Sequence, residues 1–170
     1  MIKIDDEAFY DRNPGLEMGN VAELNAYVQA SFNDEEVKRL SQYLDEKLAA
    51  SIPGTRPLIR DLPTSYLNLL AISNGGGIAI GDREITYFEK ESLRDYLVDY
   101  QFPIYMSGAL PFGLNGGGVF YVFDMRKPAV NGEFPILAAS SGDLEYENAP
   151  VIAQSIDELL SDETNIEDLL

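Results

Sequence analysis

Helical and strand-like spacings of apolar residues alternate along this chain, and the stretch Leu62–Gly77 (LPTSYLNLLAISNGGG) carries its own start and stop signals. Pro63 falls in a first turn, where a missing N–H costs nothing and a fixed φ suits the helix. Asp61 stands where a carboxylate caps free amides or favours the positive helix end. Tyr66, Leu69, Leu70 and Ile72 give a broad apolar stripe, and Asn74-Gly75 tolerate the left-handed conformation that stops a helix. The pattern predicts a helix over 63–73. Upstream, Val21, Leu24 and Val28 predict one over 20–30, and Val37, Leu40, Leu44 and Leu48 predict one over 33–50. Asn33 with Glu36 three residues on resembles a capping box, while Asp34 with Lys38 and Glu35 with Arg39 have i, i+4 ion-pair spacing. Ile52-Pro-Gly-Thr-Arg-Pro57 then breaks the helix into a loop.

β-Prone runs fill much of the remainder. They are Met1–Ile4, Gly77–Gly81 and Glu84–Phe88 around a Gly81-Asp82 turn, Ala109–Gly113, Val119–Met125, and Phe134–Ala139. Asn131-Gly132, the best hairpin signal in the chain, leads into the last of these. Leu93, Tyr96 and Leu97 predict a helix over 91–100, and Ile152, Ile156, Leu159 and Leu160 predict a final one over 151–160. The end, 161–170, either frays or docks through Ile166 and Leu169-Leu170. Helices flanking a grouped set of strands predict an α+β fold. We expect a single domain over 1–170, with an N-terminal extension at 1–32, a core at about 33–160 and an acidic end at 161–170.

Composition narrows the chemistry. With 170 residues the chain is long enough to bury roughly 70% of its unfolded surface, and 45% hydrophobic content argues against disorder. The formal net charge is −17, from 29 Asp and Glu against 12 Lys and Arg. No basic residue follows Lys127, whereas acids continue to Asp168. Such a chain repels nucleic acid and anionic membrane and attracts a basic partner. The absence of Cys excludes disulfides, thiol nucleophiles and thiolate metal sites; the absence of His removes the commonest general base and transition-metal ligand. The N-terminus lacks the basic and long apolar regions of a secretion signal, and no apolar run approaches the roughly 20 residues of a membrane span. The expectation is a cytoplasmic protein.

Two triple-glycine runs invite a phosphate-binding reading, and neither fits it. Gly75–Gly77 leads from helix into strand, the reverse of the order that aims a helix N-terminus at a phosphate, and neither run is followed by the Lys and Ser/Thr of a P-loop. Asp143-Leu-Glu-Tyr-Glu147 alternates acids but lacks the glycine and closing glutamate of an EF-hand loop. Paired-carboxylate hydrolysis has 29 candidate acids and no spacing to select two. No cofactor or metal is expected. The aromatic residues are more informative. Tyr100, Phe102, Tyr105 and Phe112 crowd a Pro-containing segment expected to be largely loop, with Phe102 and Phe112 in the core and Tyr100 and Tyr105 at the surface. Loop aromatics beside acids suit a protein-binding surface.

Several short motifs in order carry a resemblance: LPTSY–NGGG, PFG–GGGVFYVFD, Pro135-Ile-Leu137 with Gly142-Asp143, and IAQSIDELL over 152–160. Together they resemble the SUKH superfamily, which includes fungal regulators of cell-wall glucan synthesis and bacterial immunity proteins. Leu62, Pro63 and Tyr66 match its Leu-Pro-x-x-Tyr start, Asn74, Gly75 and Gly76 its Asn-Gly-Gly stop, and Gly117, Tyr121 and Asp124 its glycine-to-strand segment. The tryptophan common near the first motif is missing. The resemblance covers about 33–160 and implies a curved, mainly antiparallel sheet flanked by helices. It also implies a non-catalytic binder, in bacteria one that neutralises nuclease- or deaminase-type toxins.

The leading expectation is an immunity-type protein that occludes a basic toxin domain. The alternative is a regulatory scaffold of the cell-wall regulator type, and the third is a carboxylate-dependent hydrolase. The acids and aromatics expected to meet a protein partner are Glu89, Asp95, Asp99 and Glu145, with Tyr100, Tyr105 and Tyr146. Nothing in the sequence specifies an oligomeric state.

Overall fold

The computed structural model describes residues 4–170, so the edge strand expected at 1–4 lies outside them except for Ile4, which belongs to no strand. Seven strands form one open antiparallel sheet in chain order: β1 (Phe9–Arg12), β2 (Gly76–Ile80), β3 (Arg83–Tyr87), β4 (Ala109–Leu114), β5 (Val119–Asp124), β6 (Ile136–Ser140) and β7 (Val151–Ala153). The helices of four or more residues with α geometry are α1 (Val21–Gln29), α2 (Asp34–Ser41), α3 (Glu46–Ala49), α4 (Thr64–Ile72), α5 (Leu93–Asp99), α6 (Phe102–Tyr105) and α7 (Ile156–Leu159). This is an α+β domain. Register shifts interrupt the β1–β2, β4–β5 and β6–β7 ladders, places where an extra residue bends a strand.

β5 is buried on both faces, and its aromatic residues sort the helices into two layers. Phe120 meets Phe88, Tyr96, Tyr100 and Phe102 on the α5–α6 side, whereas Phe123 meets Tyr66 of α4 and Phe112 on the other. Tyr66 is fully buried, and its hydroxyl donates to the Phe88 carbonyl at 3.0 Å. Tyr121 does the same for the Glu84 carbonyl at 2.8 Å. Burial pushes both phenols far above their ordinary pKa, so they stay neutral donors. Phe102 and Phe112 are core residues, and Tyr100 and Tyr105 are exposed.

The helix built on Leu62–Gly77 is present, with different punctuation. Pro63 is the N-cap and Thr64 the first helical residue. Asp61 faces away from α4 and accepts a hydrogen bond from the Gln29 side chain. The cap comes from Glu133, whose carboxylate accepts the Ser65 N–H at 2.8 Å and the Ser65 hydroxyl at 2.6 Å. The Asn131-Gly132 turn supplies that glutamate, and its Gly132 carbonyl also accepts the Thr64 N–H. At the other end the chain leaves the helix at Ser73, which is extended, and becomes left-handed only at Gly75, φ 78°. A Cβ on Gly75 would lie 2.6 Å from the Glu89 backbone nitrogen, so glycine is required there twice over.

Three other expectations need correction. The helix expected over 33–50 is two: the capping box at Asn33 and Glu36 is complete, but Asp45 recruits the Leu48 N–H into a new cap and restarts the chain as α3. Leu48 consequently points outward and is 53% exposed. Arg39 does not pair with Glu35; it reaches Asp95 and Asp99 on α5. The helix expected over 151–160 begins only at Ile156, because the Ser155 hydroxyl caps it and Glu158 accepts the Gln154 N–H. The β-branched Val151 and Ile152 ahead of that cap pair with β6 as an edge strand. The 161–170 end docks. Ile166 is buried, and Arg83, itself 1% exposed, donates to the Leu159 and Thr164 carbonyls and to Asp162.

Candidate functional site

α5 organises the charged surface because its two sides have opposite company. Its inner side carries Leu93, Leu97 and Val98 into the core, together with Arg94. Arg94 donates to both Glu36 oxygens, at 2.9 and 2.6 Å, and to the Tyr27, Val28 and Ala30 carbonyls at the end of α1. A single guanidinium thus satisfies carbonyls that α1 leaves free and binds α1, α2 and α5 together. Burial alone would raise the Glu36 pKa, but the hydrogen bonds from Arg94 and from the Asn33 N–H outweigh it and hold the carboxyl below its ordinary value.

On the outer side Asp95 and Asp99 lie one turn apart, and Arg39 bridges them at 3.3 and 2.7 Å. The Arg39 Nε is left buried without a partner. Beyond Asp99 the chain turns at Gln101, a left-handed residue with φ 57°, and re-enters a helix as α6. Across from this turn, the loop after β6 brings up Asp143 and Glu145, anchored by the buried Leu144 between them.

These two turns and the end of α2 enclose a cleft of about 540 Å³. Tyr43, Tyr100 and Tyr105 form its aromatic wall, and Asp99, Asp143 and Glu145 contribute carboxylates. Among the described residues, no Lys or Arg lines it. Tyr100 is held edge-on against the buried Phe120, ring centroids 4.6 Å apart, and stacks with Tyr96 at 6.3 Å. A ring held this way loses little freedom when something packs on it. Among the described residues, no acids group in a way that would hold a metal ion.

Of the residues expected at a partner surface, Asp99, Tyr100, Tyr105 and Glu145 come together in this cleft. Asp95 lies one turn away, shared with Arg39. Glu89 sits beyond the opposite end of α5, beside Gly75, and accepts the Ser92 hydroxyl. Tyr146 belongs to a different cluster: the Arg126 guanidinium lies 3.5 Å above its ring, and its hydroxyl donates to the Ser107 carbonyl. Hydrogen bonds from Arg126 hold the Asp124 carboxyl below its usual pKa. Sequence reasoning missed Tyr43, Gln101 and the cleft role of Asp143. Tyr43 lies in the turn between α2 and α3, where an unbroken helix was expected, and no residue pattern marks Gln101 as left-handed.

The motif residues divide by what they do. Leu62, Pro63 and Tyr66 are buried where α4 enters the core; Asn74 accepts the Lys90 N–H and joins the end of that helix to the segment before α5. Gly76 opens β2, and Gly117 lies in the exposed β4–β5 turn that the Asn115 side chain organises. This order of α4, glycine-led strand and β4–β5 hairpin coincides with a match to the family model of the SMI1 / KNR4 family (SUKH-1), over residues 58–162. The chain belongs to this family. No curated protein matches it. SUKH-1 proteins are generally non-catalytic. The match begins just before α4 and ends beyond α7, so the cleft's β6 loop and the α5–α6 turn are inside it, while Tyr43 lies upstream. No helix among the described residues is long and apolar enough to cross a membrane.

Proposed function

We propose that this SUKH-1 domain binds another protein without transforming it, as a cytoplasmic immunity protein that neutralises a nuclease- or deaminase-type toxin by covering it. The observation that carries this reading is the cleft walled by tyrosines and carboxylates and lined by no basic residue, on a chain of net charge −17. A nucleic-acid-processing toxin has a basic surface for its substrate, and an acidic inhibitor competes for that surface. Steering between opposite charges raises association toward about 10⁸–10⁹ M⁻¹s⁻¹ at low salt.

Co-purification and calorimetry with the product of any toxin-like gene found next to this one, followed by a protection assay in cells, tests the reading. Tight one-to-one binding with loss of toxicity supports it. A neighbouring toxin that neither binds nor is silenced refutes it. Within a complex, Asp99→Lys should slow association and flatten its salt dependence, with a smaller effect on dissociation. Equal association rates for parent and variant across a salt series would remove steering from the account.

A further inference from the structure

Gln101 has no part in steering by charge, yet the cleft is built around it. It is only 8% exposed, the one buried polar residue of the lining. Its backbone is fully committed: the N–H donates to the Val98 carbonyl at 2.9 Å, and its own carbonyl accepts from Ile104 and Tyr105. Its side-chain amide makes no hydrogen bond among the described residues and is not sealed from solvent, so it is open at the cleft that the residue lines. An amide with no partner inside the fold keeps an acceptor and a donor free for a ligand. The residue also holds a left-handed backbone at the position after a helix, where glycine is the usual solution.

The carboxylates around it differ in availability. Asp99 is engaged by Arg39 at 2.7 Å, and Asp143 accepts from the Asn148 side chain at 2.9 Å. Glu145 has no partner among the described residues and faces the same space. Tyr43, Tyr100 and Tyr105 line the same space. A free carboxylate, an amide oxygen with no partner in the fold and aromatic side chains in one cleft match a planar cation with several N–H donors. Lysine, a point charge with tetrahedral donors, fits this less well, because it cannot stack and donate in a fork at once.

We infer that the cleft is a socket for an arginine side chain of the protein partner, with Glu145 and the Gln101 amide oxygen as its acceptors and the tyrosines as its stacking wall. This rests on the protein-binding reading above and adds the chemistry of the residue recognised.

The test is an NMR titration of the isotopically labelled full chain with N-acetyl-arginine methylamide and with its lysine counterpart. The expected result is saturable shifts at the Gln101 side-chain amide and at the backbone of Tyr100, Tyr105 and Glu145. Arginine should bind about tenfold more tightly than lysine. Gln101→Gly removes the amide while keeping a residue suited to the left-handed backbone, so its melting temperature should equal or exceed the parent's while the arginine preference disappears. Glu145→Gln should weaken both ligands. Equal, unsaturating shifts spread over the acidic surface would overturn the socket, as would an arginine preference that survives Gln101→Gly. If the toxin domain binds but the titration fails in this way, the socket falls and the protein-binding reading stands.

Discussion

The inner side of α5 and the cleft beyond its end hold charge in opposite ways. Inside, Arg94 and Glu36 are almost fully buried, 5% and 6% exposed at the side chain, and most of the donors and acceptors they bring find a partner within the fold. In the cleft beyond the end of α5, Asp143 and Glu145 meet no Lys or Arg among the described lining residues. A buried pair has to be completed by its own chain, since each ion left alone in the interior costs several kcal/mol. An acid in an open cleft is hydrated and needs no internal partner. The first arrangement serves folding, and the second leaves its interactions to be made with something else.

The comparison breaks most visibly if the inner pair is opened. Arg94→Ala leaves the Glu36 carboxylate buried and unanswered and strips the α1 carbonyls of their donor. We expect a loss of about 3–5 kcal/mol in chemical denaturation, approaching the whole stability of a small domain. A loss under 1 kcal/mol would mean that α1 and α2 are not locked to α5 as described.

A smaller effect is expected where a charge completes a helix instead of another charge. Glu133 caps α4 from 68 residues away in sequence and, through the Ser65 hydroxyl that also accepts the Ile156 N–H, connects α4 with α7. Glu133→Ala should cost about 0.5–2 kcal/mol, and Glu133→Gln less, because an amide oxygen still accepts the Ser65 N–H. Equal losses for the two variants would place the effect in the shape of the turn and not in the cap.

The same long-range cap shows why the sequence was legible in some places and not in others. Local signals survived: the Asn33–Glu36 capping box, the Gly81-Asp82 turn between β2 and β3, and the β-prone run of β5 all stand within a residue or two of where spacing put them. Asp61 looked like the α4 cap because it is adjacent, whereas the true cap arrives through a distant turn. Arg94 lies in a run that reads as the exposed side of an amphipathic helix, and only the assembled end of α1 makes it a core residue. β1 was not anticipated because Phe9–Arg12 has no alternation of its own; it is a strand by virtue of pairing with β2. In the cleft, the exposed tyrosines and acids were recognisable as surface chemistry. Which of them meet depends on the left-handed turn at Gln101 and on the loop after β6, and neither leaves a mark in composition or spacing.

Acid should weaken the inner pair. The folded-state pKa of Glu36 lies below its ordinary value, so its contribution to stability is complete above the usual carboxylate range and disappears as the pH falls through the folded value. Stability measured by urea denaturation between about pH 5 and pH 3 should therefore fall more steeply for the parent than for Glu36→Gln, although the variant starts lower. The other titrating carboxylates are common to both proteins and cancel in the difference. Parallel curves would show that Arg94 does not favour the charged form of Glu36.

The smallest effect on stability is expected in the cleft, and it discriminates best. The Glu145 carboxylate has no partner among the described residues, so Glu145→Gln breaks none of the contacts described, and a change within about 0.5 kcal/mol is expected. Glu145→Lys goes further. On a chain of net charge −17 it relieves self-repulsion, and its stability should match or slightly exceed the parent's, most clearly at low salt where screening is weak. The same substitution places a cation in the space where a partner's cation would sit, so binding of a basic domain should fall sharply. Stability retained while association is lost is the signature of a charge kept for a partner. A Glu145→Lys protein that unfolds more readily than the parent would instead place this acid among the inner, fold-completing kind, and the distinction between the inner side of α5 and the cleft would no longer hold.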